Sequence, residues 1–303
     1  MILITGTQRA GTSWVANVLS RAPHLALIDE PFNKRRLTPG ICAADFPYFF
    51  TYLHAGNAEP FRPHIERTLG FRYNFRAALR AARSAKAVWR AVRQGQAFNK
   101  QRGKTPLVKQ PTGMYMAEWL HHTFDMRVVV MVRHPAGYVS SRKRLGFTHD
   151  FRDVLDQPDL MAGPLAGFRE EVEAFAAAQT DVVDQSALLW KLVYAVAADY
   201  REQYPQWVFV RHEDLAADPA AGFADLCQRL AVPFSPAMRE TVAELSSTSN
   251  PAEVDVAQWK SLKRDSRAVA RVWKDRLTPE EIARIRQRVQ PVASRFYTEA
   301  EWA

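Results

Sequence analysis

The chain has 303 residues, 47% of them hydrophobic and 24% charged, the balance of a folded globular protein with a sizeable core and not of a disordered or fibrous one. Its two cysteines, Cys42 and Cys227, stand far apart with no CxxC or His-rich neighbour, which excludes a disulfide framework and a structural zinc site and predicts two small buried residues. The net charge is +9, yet residues 61–104 hold twelve Lys or Arg against one acid, Glu66, so the basicity is local and no nucleic-acid partner is expected for the fold as a whole.

The chain opens on a strand-like run at 2–5 (ILIT), with a turn at Gly6 and no leader pattern. Further Val, Ile and Leu runs at 107–110, 127–132 and 207–211, with a shorter one at 25–28, predict strands buried on both faces. Helical periods occupy 13–21, 113–122, 136–145, 167–178, 184–203, 219–230 and 279–290. This alternation predicts an α/β protein in which right-handed crossovers build one parallel sheet flanked by helices. Ligands of such sheets sit at the carboxyl ends of the strands.

Residues 33–104 interrupt the alternation with helical, aromatic and basic sequence. They read as an insert in a single domain spanning 1–303, expected to form a lid on the acceptor side of the site. Within the insert Phe71, Phe75, Ala78, Ala82, Ala85, Trp89 and Val92 recur at steps of four and three, which predicts one apolar helical stripe. Arg72, Arg76, Arg80, Arg83, Lys86, Arg90 and Arg93 run beside it, as a solvated face, a surface for an anionic substrate or a membrane-docking face. No run approaches the ~20 apolar residues of a membrane span, and the cytoplasm is the expected location.

The strongest local signal follows the first strand: Gly6-Thr7-Gln8-Arg9-Ala10-Gly11-Thr12-Ser13-Trp14, opening an amphipathic helix. Such a loop converges backbone N–H groups on an anion at a helix N-terminus. It departs from the nucleoside triphosphate pattern GxxxxGK[ST], because Thr12 stands where the lysine belongs. The strand at 127–132 runs into Arg133-His134-Pro135, with Ser140, Ser141 and Arg142 on the helix after it. Serine hydroxyls beside an arginine fork suit a second phosphate group. Two anion sites at two strand ends suggest a bisphosphate ligand.

These residues resemble the sulfotransferases that use 3′-phosphoadenosine 5′-phosphosulfate (PAPS) and release 3′,5′-adenosine bisphosphate (PAP). Arg9 to Trp14 is similar to their first motif, and Arg133, Pro135 and Ser141 to their second. VRHEDLAADP (210–219) and RVWKDRLTPEE (271–281) resemble two later segments. The resemblance covers about 1–32 and 105–290, and implies the P-loop-like sulfotransferase fold and a metal-independent transfer of a sulfuryl group to a hydroxyl or an amine. It implies that Arg9, Ala10, Gly11, Thr12 and Ser13 hold the 5′-phosphosulfate, with Arg9 in the place of a family lysine and Lys109 supplying an ammonium. Arg133 and Ser141 would hold the 3′-phosphate. Arg267 is a third candidate, with Arg271 as its rival, because the family's glycine-containing loop reads SRAVAR here. His212 takes the place of an adenine-contacting tyrosine, Trp14 either stacks near adenine or belongs to the core, and SSTSN (246–250) is a candidate cover for the base.

No histidine follows the strand lysine, where KQP stands. The resemblance therefore implies a carboxylate base after the second strand, Glu30, with Asp29 as its near alternative. The acceptor expected from this placement and from the insert is a carbohydrate or glycolipid, anionic or presented at a membrane. His121, His122 and His134 have no triad partner in sequence and are expected to pack. The rival readings are a P-loop kinase with a degenerate lysine and a nucleotide-dependent polyanion-binding protein that is not an enzyme.

Overall fold

The computed structural model describes residues 1–34, 38–178 and 180–303; residues 35–37 of the expected insert lie outside the described residues. Five strands form one sheet: β1 (Ile2–Thr5), β2 (Leu25–Asp29), β3 (Thr105–Lys109), β4 (Arg127–Val132) and β5 (Val208–Arg211). All pairings are parallel, in the order β2-β3-β1-β4-β5. Successive side chains serve opposite faces. Ile2, Ile4, Val129 and Met131 belong to one core, while Leu3, Val128, Val130 and Val132 belong to the other. This two-sided burial is why the strands read as continuous apolar runs.

The connections between the strands carry the helices α1 (Thr12–Leu19), α2 (Arg62–Leu69), α3 (Phe75–Ala81), α4 (Ala85–Asn99), α5 (Ala117–Phe124) and α6 (Pro135–Leu145). The long helix Val182–Gln203 is buried along most of its length and braces the edge of the sheet that bears the loops. Trp190 Nε1 donates to the carbonyl of Arg133 at 2.8 Å, and Tyr194 Oη to that of Met131 at 2.8 Å. Tyr194 Oη also lies 3.1 Å from Thr7 Oγ1 in the first loop. One helical face, four residues apart, thus fixes the exits of both β1 and β4. Cys42 and Cys227 are buried and unbridged.

The insert differs from the single apolar stripe that its periodicity suggests. Asn74 caps α3 by accepting from Ala77 N, Ala82 is extended, and Ser84 caps α4 by accepting from Ala87 N. Two N-cap residues outweigh the continuous period and split the helix. The face that α4 buries is then Ala91, Gly95 and Phe98, with Gly95 lying against Tyr73 and Phe75. Trp89 and Val92 point to solvent.

His134 is enclosed by aromatic rings. It stacks on Trp273 with centroids 5.1 Å apart, and Tyr297 and Trp302 meet it edge-on. Burial pushes its pKa down to about 3, with the nearby cations Arg211, Arg133 and Lys274 adding to the shift against Glu301. Burial, then Arg133 and Arg9, lower His212 to about 3 as well. A histidine whose folded value lies below its unfolded ~6.5 takes its proton only in the unfolded chain. Its contribution is whole above about 6.5 and is lost as the pH falls, by about 1.4 kcal/mol per pH unit for each such group. Urea midpoints measured from pH 7 to pH 5 are expected to fall steadily, and less steeply in His134→Phe; a flat profile in the unmodified chain contradicts this packing.

Candidate functional site

The loops that leave all five strands meet in one cleft of about 530 Å³. Gln8, Arg9 and Gly11 to Trp14 line it after β1, Asp29, Glu30 and Asn33 at β2, Lys109 at β3, Arg133 at β4 and His212 at β5. Ala10, expected among the residues that hold the phosphosulfate, is instead fully buried in the core beneath the loop. The β1 loop needs its glycines. Gly6 has φ +137°, and a Cβ there would lie 2.3 Å from the carbonyl oxygen of Met131. Gly11, at φ +98°, would bring a Cβ to 2.9 Å from His212 Nδ1. Arg9 is itself left-handed at φ +71°, as is Glu30 at φ +47°, so two of the candidate site residues hold backbone conformations that cost free energy. Among the described residues no side chain caps α1, which leaves its first N–H groups to a ligand.

Sheet register builds the second part of the site. Asp29 pairs with Lys109 across β2 and β3, and Glu30 N donates to the Lys109 carbonyl at 2.8 Å. The buried Lys109 ammonium lies 2.7 Å from Asp29, 2.9 Å from Glu30 Oε1 and 3.2 Å from Ser13 Oγ. Burial alone would lower the Lys109 pKa, but Glu30 and Asp29 together raise it above the ordinary value. The ammonium therefore stays charged and ties the carboxylate pair to the phosphate-type loop. Glu30 also accepts from Asn33 Nδ2 at 3.0 Å. Its side chain is 21% exposed against 64% for Asp29, which makes Glu30 the enclosed member of the pair.

The third part is a cluster of arginines. Arg9 Nε donates to Ser141 Oγ at 3.0 Å, and Arg133 Nη1 donates to the Arg9 carbonyl at 2.7 Å. Arg9, Arg133, Ser140, Ser141, Arg144, Arg264 and Arg276 line one small recess. Burial first, then Arg133, Arg264 and Arg144, bring Arg9 down to about 10. Burial also lowers Arg133, Arg264 and Arg276. Among the described residues Glu253 is the one acid lining this recess, paired with Arg144 at 3.5 Å and with Arg276. Arg9, Arg133 and Arg264 form no ion pair among the described residues, and Arg133 Nε is buried without a partner.

Several expected placements change. Arg142 does not stand beside the serines: its guanidinium is consumed by Ser186 Oγ and by the carbonyls of Phe147 and Thr148, which close the end of α6. The forks beside Ser141 and Ser140 come from Arg9 and Arg276. Arg267 turns out of the cleft, donates to the Ala217 carbonyl at 3.0 Å and, with Arg271, lines a separate cavity. Arg264 occupies the recess instead. His134, the residue between Arg133 and Pro135, packs, and His121 and His122 lie against Tyr204.

Trp14 serves core and cleft together. It meets Phe223 edge-on at 5.2 Å and His212 at 6.0 Å, and its Nε1 is buried without a partner among the described residues. Both ring nitrogens of His212 are likewise buried and unpartnered, and the low pKa keeps the ring neutral. Leu245 and residues 259–262 cover this side, whereas the SSTSN residues line neither cavity of the cleft. A second cavity of about 790 Å³ adjoins the first, sharing Gln8, Phe49 and Trp259 with it. Lys34 and Tyr48 to Phe50 are the insert residues that line it, held by Asp153, which accepts from Phe49 N and Phe50 N.

Sequence reasoning passes over Arg144, Arg264, Arg276, Trp259 and Glu213. Arg144 carries a legible signal, one turn beyond Ser140 and Ser141 on the same helix. Arg276 follows Trp273 by three. Glu213 sits in the HEDL segment and is a positioning residue: it accepts from His134 N at 3.0 Å and from Tyr297 Oη at 2.9 Å, which fixes the exit of β4. Arg264 and Trp259 come from an irregular stretch with no periodic pattern, and only folding brings them to Arg9.

A model of the Sulfotransferase family matches residues 2–236. The chain belongs to the sulfotransferase family. No curated protein matches it. Among solved structures it is similar to the sulfotransferase domain from the curacin biosynthetic pathway, at 16% identity and TM-score 0.49, covering 96% of this chain and 97% of that one. It is also similar to the sulfotransferase domain of the Synechococcus PCC 7002 olefin synthase, at 16% identity and TM-score 0.47, covering 97% and 94%. A third likeness is to sulfotransferase STF9 from Mycobacterium avium, at 11% identity and TM-score 0.47, covering 98% and 77%. The matched region contains Arg9, Glu30, Lys109, Arg133, Ser141 and His212, whereas Arg264 and Trp259 lie beyond it.

Proposed function

We propose that the chain is a cytoplasmic, metal-independent enzyme that transfers a sulfuryl group from PAPS to a hydroxyl or an amine of a carbohydrate or glycolipid acceptor. The observation that carries this reading is the convergence of Arg9, Arg133 and Arg264 around Ser141 without an ion pair among the described residues. The unpartnered Arg133 Nε, His212 ring nitrogens and Trp14 Nε1, together with the uncapped α1, fit an anionic adenosine nucleotide. When bound, PAPS supplies an activated sulfuryl group on a phosphate leaving group.

The residues of the chain then divide the work. The N–H groups of Gly11 to Ser13, with Lys109, face the 5′ end and neutralise charge that grows on the leaving phosphate. Arg133 and Ser141 hold the 3′-phosphate, with Arg264 and Arg276 beside them. Arg9, expected at the 5′-phosphosulfate, is assigned to the 3′-phosphate instead, because its Nε bonds Ser141 Oγ. His212 and Trp14 bound the base. Glu30, enclosed and oriented by Lys109 and Asn33, takes the proton of the acceptor; Asp29 shares the ammonium from a more solvated position. The adjoining cavity supports a sugar-bearing acceptor, because Tyr48, Phe49, Phe147 and Trp259 offer aromatic faces beside Lys34, Asp150, Arg152 and Asp156.

Glu30→Gln is expected to lower turnover of a sulfated product by a factor of about 100 to 10⁴, the usual worth of a general base, while PAP affinity stays within a fewfold of the unmodified chain. Normal turnover removes Glu30 from this role. The recess makes an opposite-signed pair of predictions for PAP affinity by calorimetry. Arg133→Ala should weaken it about ten- to a hundredfold, the worth of a charge-assisted hydrogen bond. Glu253→Gln should strengthen it, because Glu253 competes with the phosphate for Arg144 and Arg276; weaker binding would make Glu253 part of the ligand site.

A further inference from the structure

Six large apolar side chains are exposed among the described residues, and four of them lie in the α3–α4 hairpin: Leu79, Val88, Trp89 and Val92. Trp89 is 58% exposed. Because α4 buries Ala91, Gly95 and Phe98, it carries three faces. One packs inward, a second presents Val88, Val92 and Trp89, and a third presents Lys86, Arg90 and Arg93 at steps of four and three. Arg76, Arg80 and Arg83 extend the exposed cations across α3 and the turn. None of these six cations has an ion pair among the described residues, and Arg93 lies over the Trp89 ring at 4.7 Å. No residue of the hairpin lines the cleft or the adjoining cavity.

We infer that this hairpin docks the protein on an anionic lipid bilayer. The argument is one of complementarity in two chemistries at once. Six unpaired cations call for a dense anionic surface. A polyanion in solution would meet them but would leave Leu79, Val88 and Val92 in water. A bilayer satisfies both, with headgroup phosphates at the guanidinium groups and the acyl boundary at the apolar face, where Trp is favoured and long cationic side chains reach outward. Contact is in the plane of the surface, since no helix among the described residues is long and apolar enough to cross a membrane. The hairpin lies outside the nucleotide cleft, so the inference stands independently of the proposed reaction.

The test is sedimentation of the full chain with vesicles of phosphatidylcholine alone, or with phosphatidylglycerol at about one part in three. Binding is expected only with the anionic lipid. The triple variant Lys86→Gln, Arg90→Gln, Arg93→Gln should bind on the order of a hundredfold less tightly, at about fivefold per cation. Trp89→Ser with Val92→Ser keeps every charge and should lose about tenfold or more. Both variants alter exposed side chains, and circular dichroism together with unchanged PAP affinity checks that they remain folded. No binding to the anionic vesicles overturns the inference. So does equal binding by the Trp89, Val92 variant, which would reduce the contact to charge alone. Displacement by a single-stranded RNA or by heparin, with loss only in the cation variant, would assign the surface to a soluble polyanion.

Discussion

Like charge held together at the edge of the sheet is the constraint around which this structure is arranged. Arg9, Arg133 and Arg264 share one recess; burial lowers each of them, neighbouring arginines lower Arg9 and Arg264 further, Glu213 works the other way on Arg133, and none of the three forms an ion pair among the described residues. Guanidinium groups in such a place cost the fold free energy, which contacts elsewhere must offset while holding the groups in position. Trp190 and Tyr194 hold the β4 exit and the first loop, Glu213 holds the backbone of His134, and the left-handed backbone of Arg9 aims its side chain at Ser141. A multiply charged anion entering the recess would recover the free energy stored in this crowding.

The two ends of the cleft divide along chemical lines. At the β4 side Arg144 and Arg276 share Glu253, while Arg9, Arg133 and Arg264 have no ion pair among the described residues. At the β2–β3 side the cation is already matched, because parallel register sets Asp29 beside Lys109 and the chain then turns Glu30 onto the same ammonium. Ser13 joins the two ends through Lys109. A group placed between them would be gripped at one end by fixed positive charge and met at the other by a carboxylate able to accept a proton. This polarity is what group transfer to a hydroxyl requires.

The sheet is legible in the sequence because strands buried on both faces leave unbroken runs such as RVVVMV, and the first loop is legible because its glycines precede an amphipathic helix. Arg133 is legible as a residue at a strand end, where parallel sheets place ligands, whereas Glu30 and Lys109 are singled out through the family resemblance. What escapes the sequence has physical reasons. The insert has a seven-residue apolar period, but Asn74 and Ser84 cap two separate helices and turn Trp89 outward. Arg142 carries the right charge beside Ser141, but its guanidinium is spent on the carbonyls that close α6, leaving Arg144, one turn beyond Ser140 and Ser141, to face the recess. Arg264, rather than Arg267, reaches the site because the irregular stretch before it sets its direction, and no periodic pattern encodes that.

The measurement that bears most directly on the central claim is a calorimetric titration of the whole chain with PAP, beside 5′-AMP and beside ATP with magnesium. The arginine recess predicts tight binding of PAP without metal, and binding of 5′-AMP weaker by about a hundredfold or more, because the 3′-phosphate carries the charge that Arg9, Arg133 and Arg264 face. Equal affinities for PAP and 5′-AMP, or a preference for ATP with magnesium, would contradict the account.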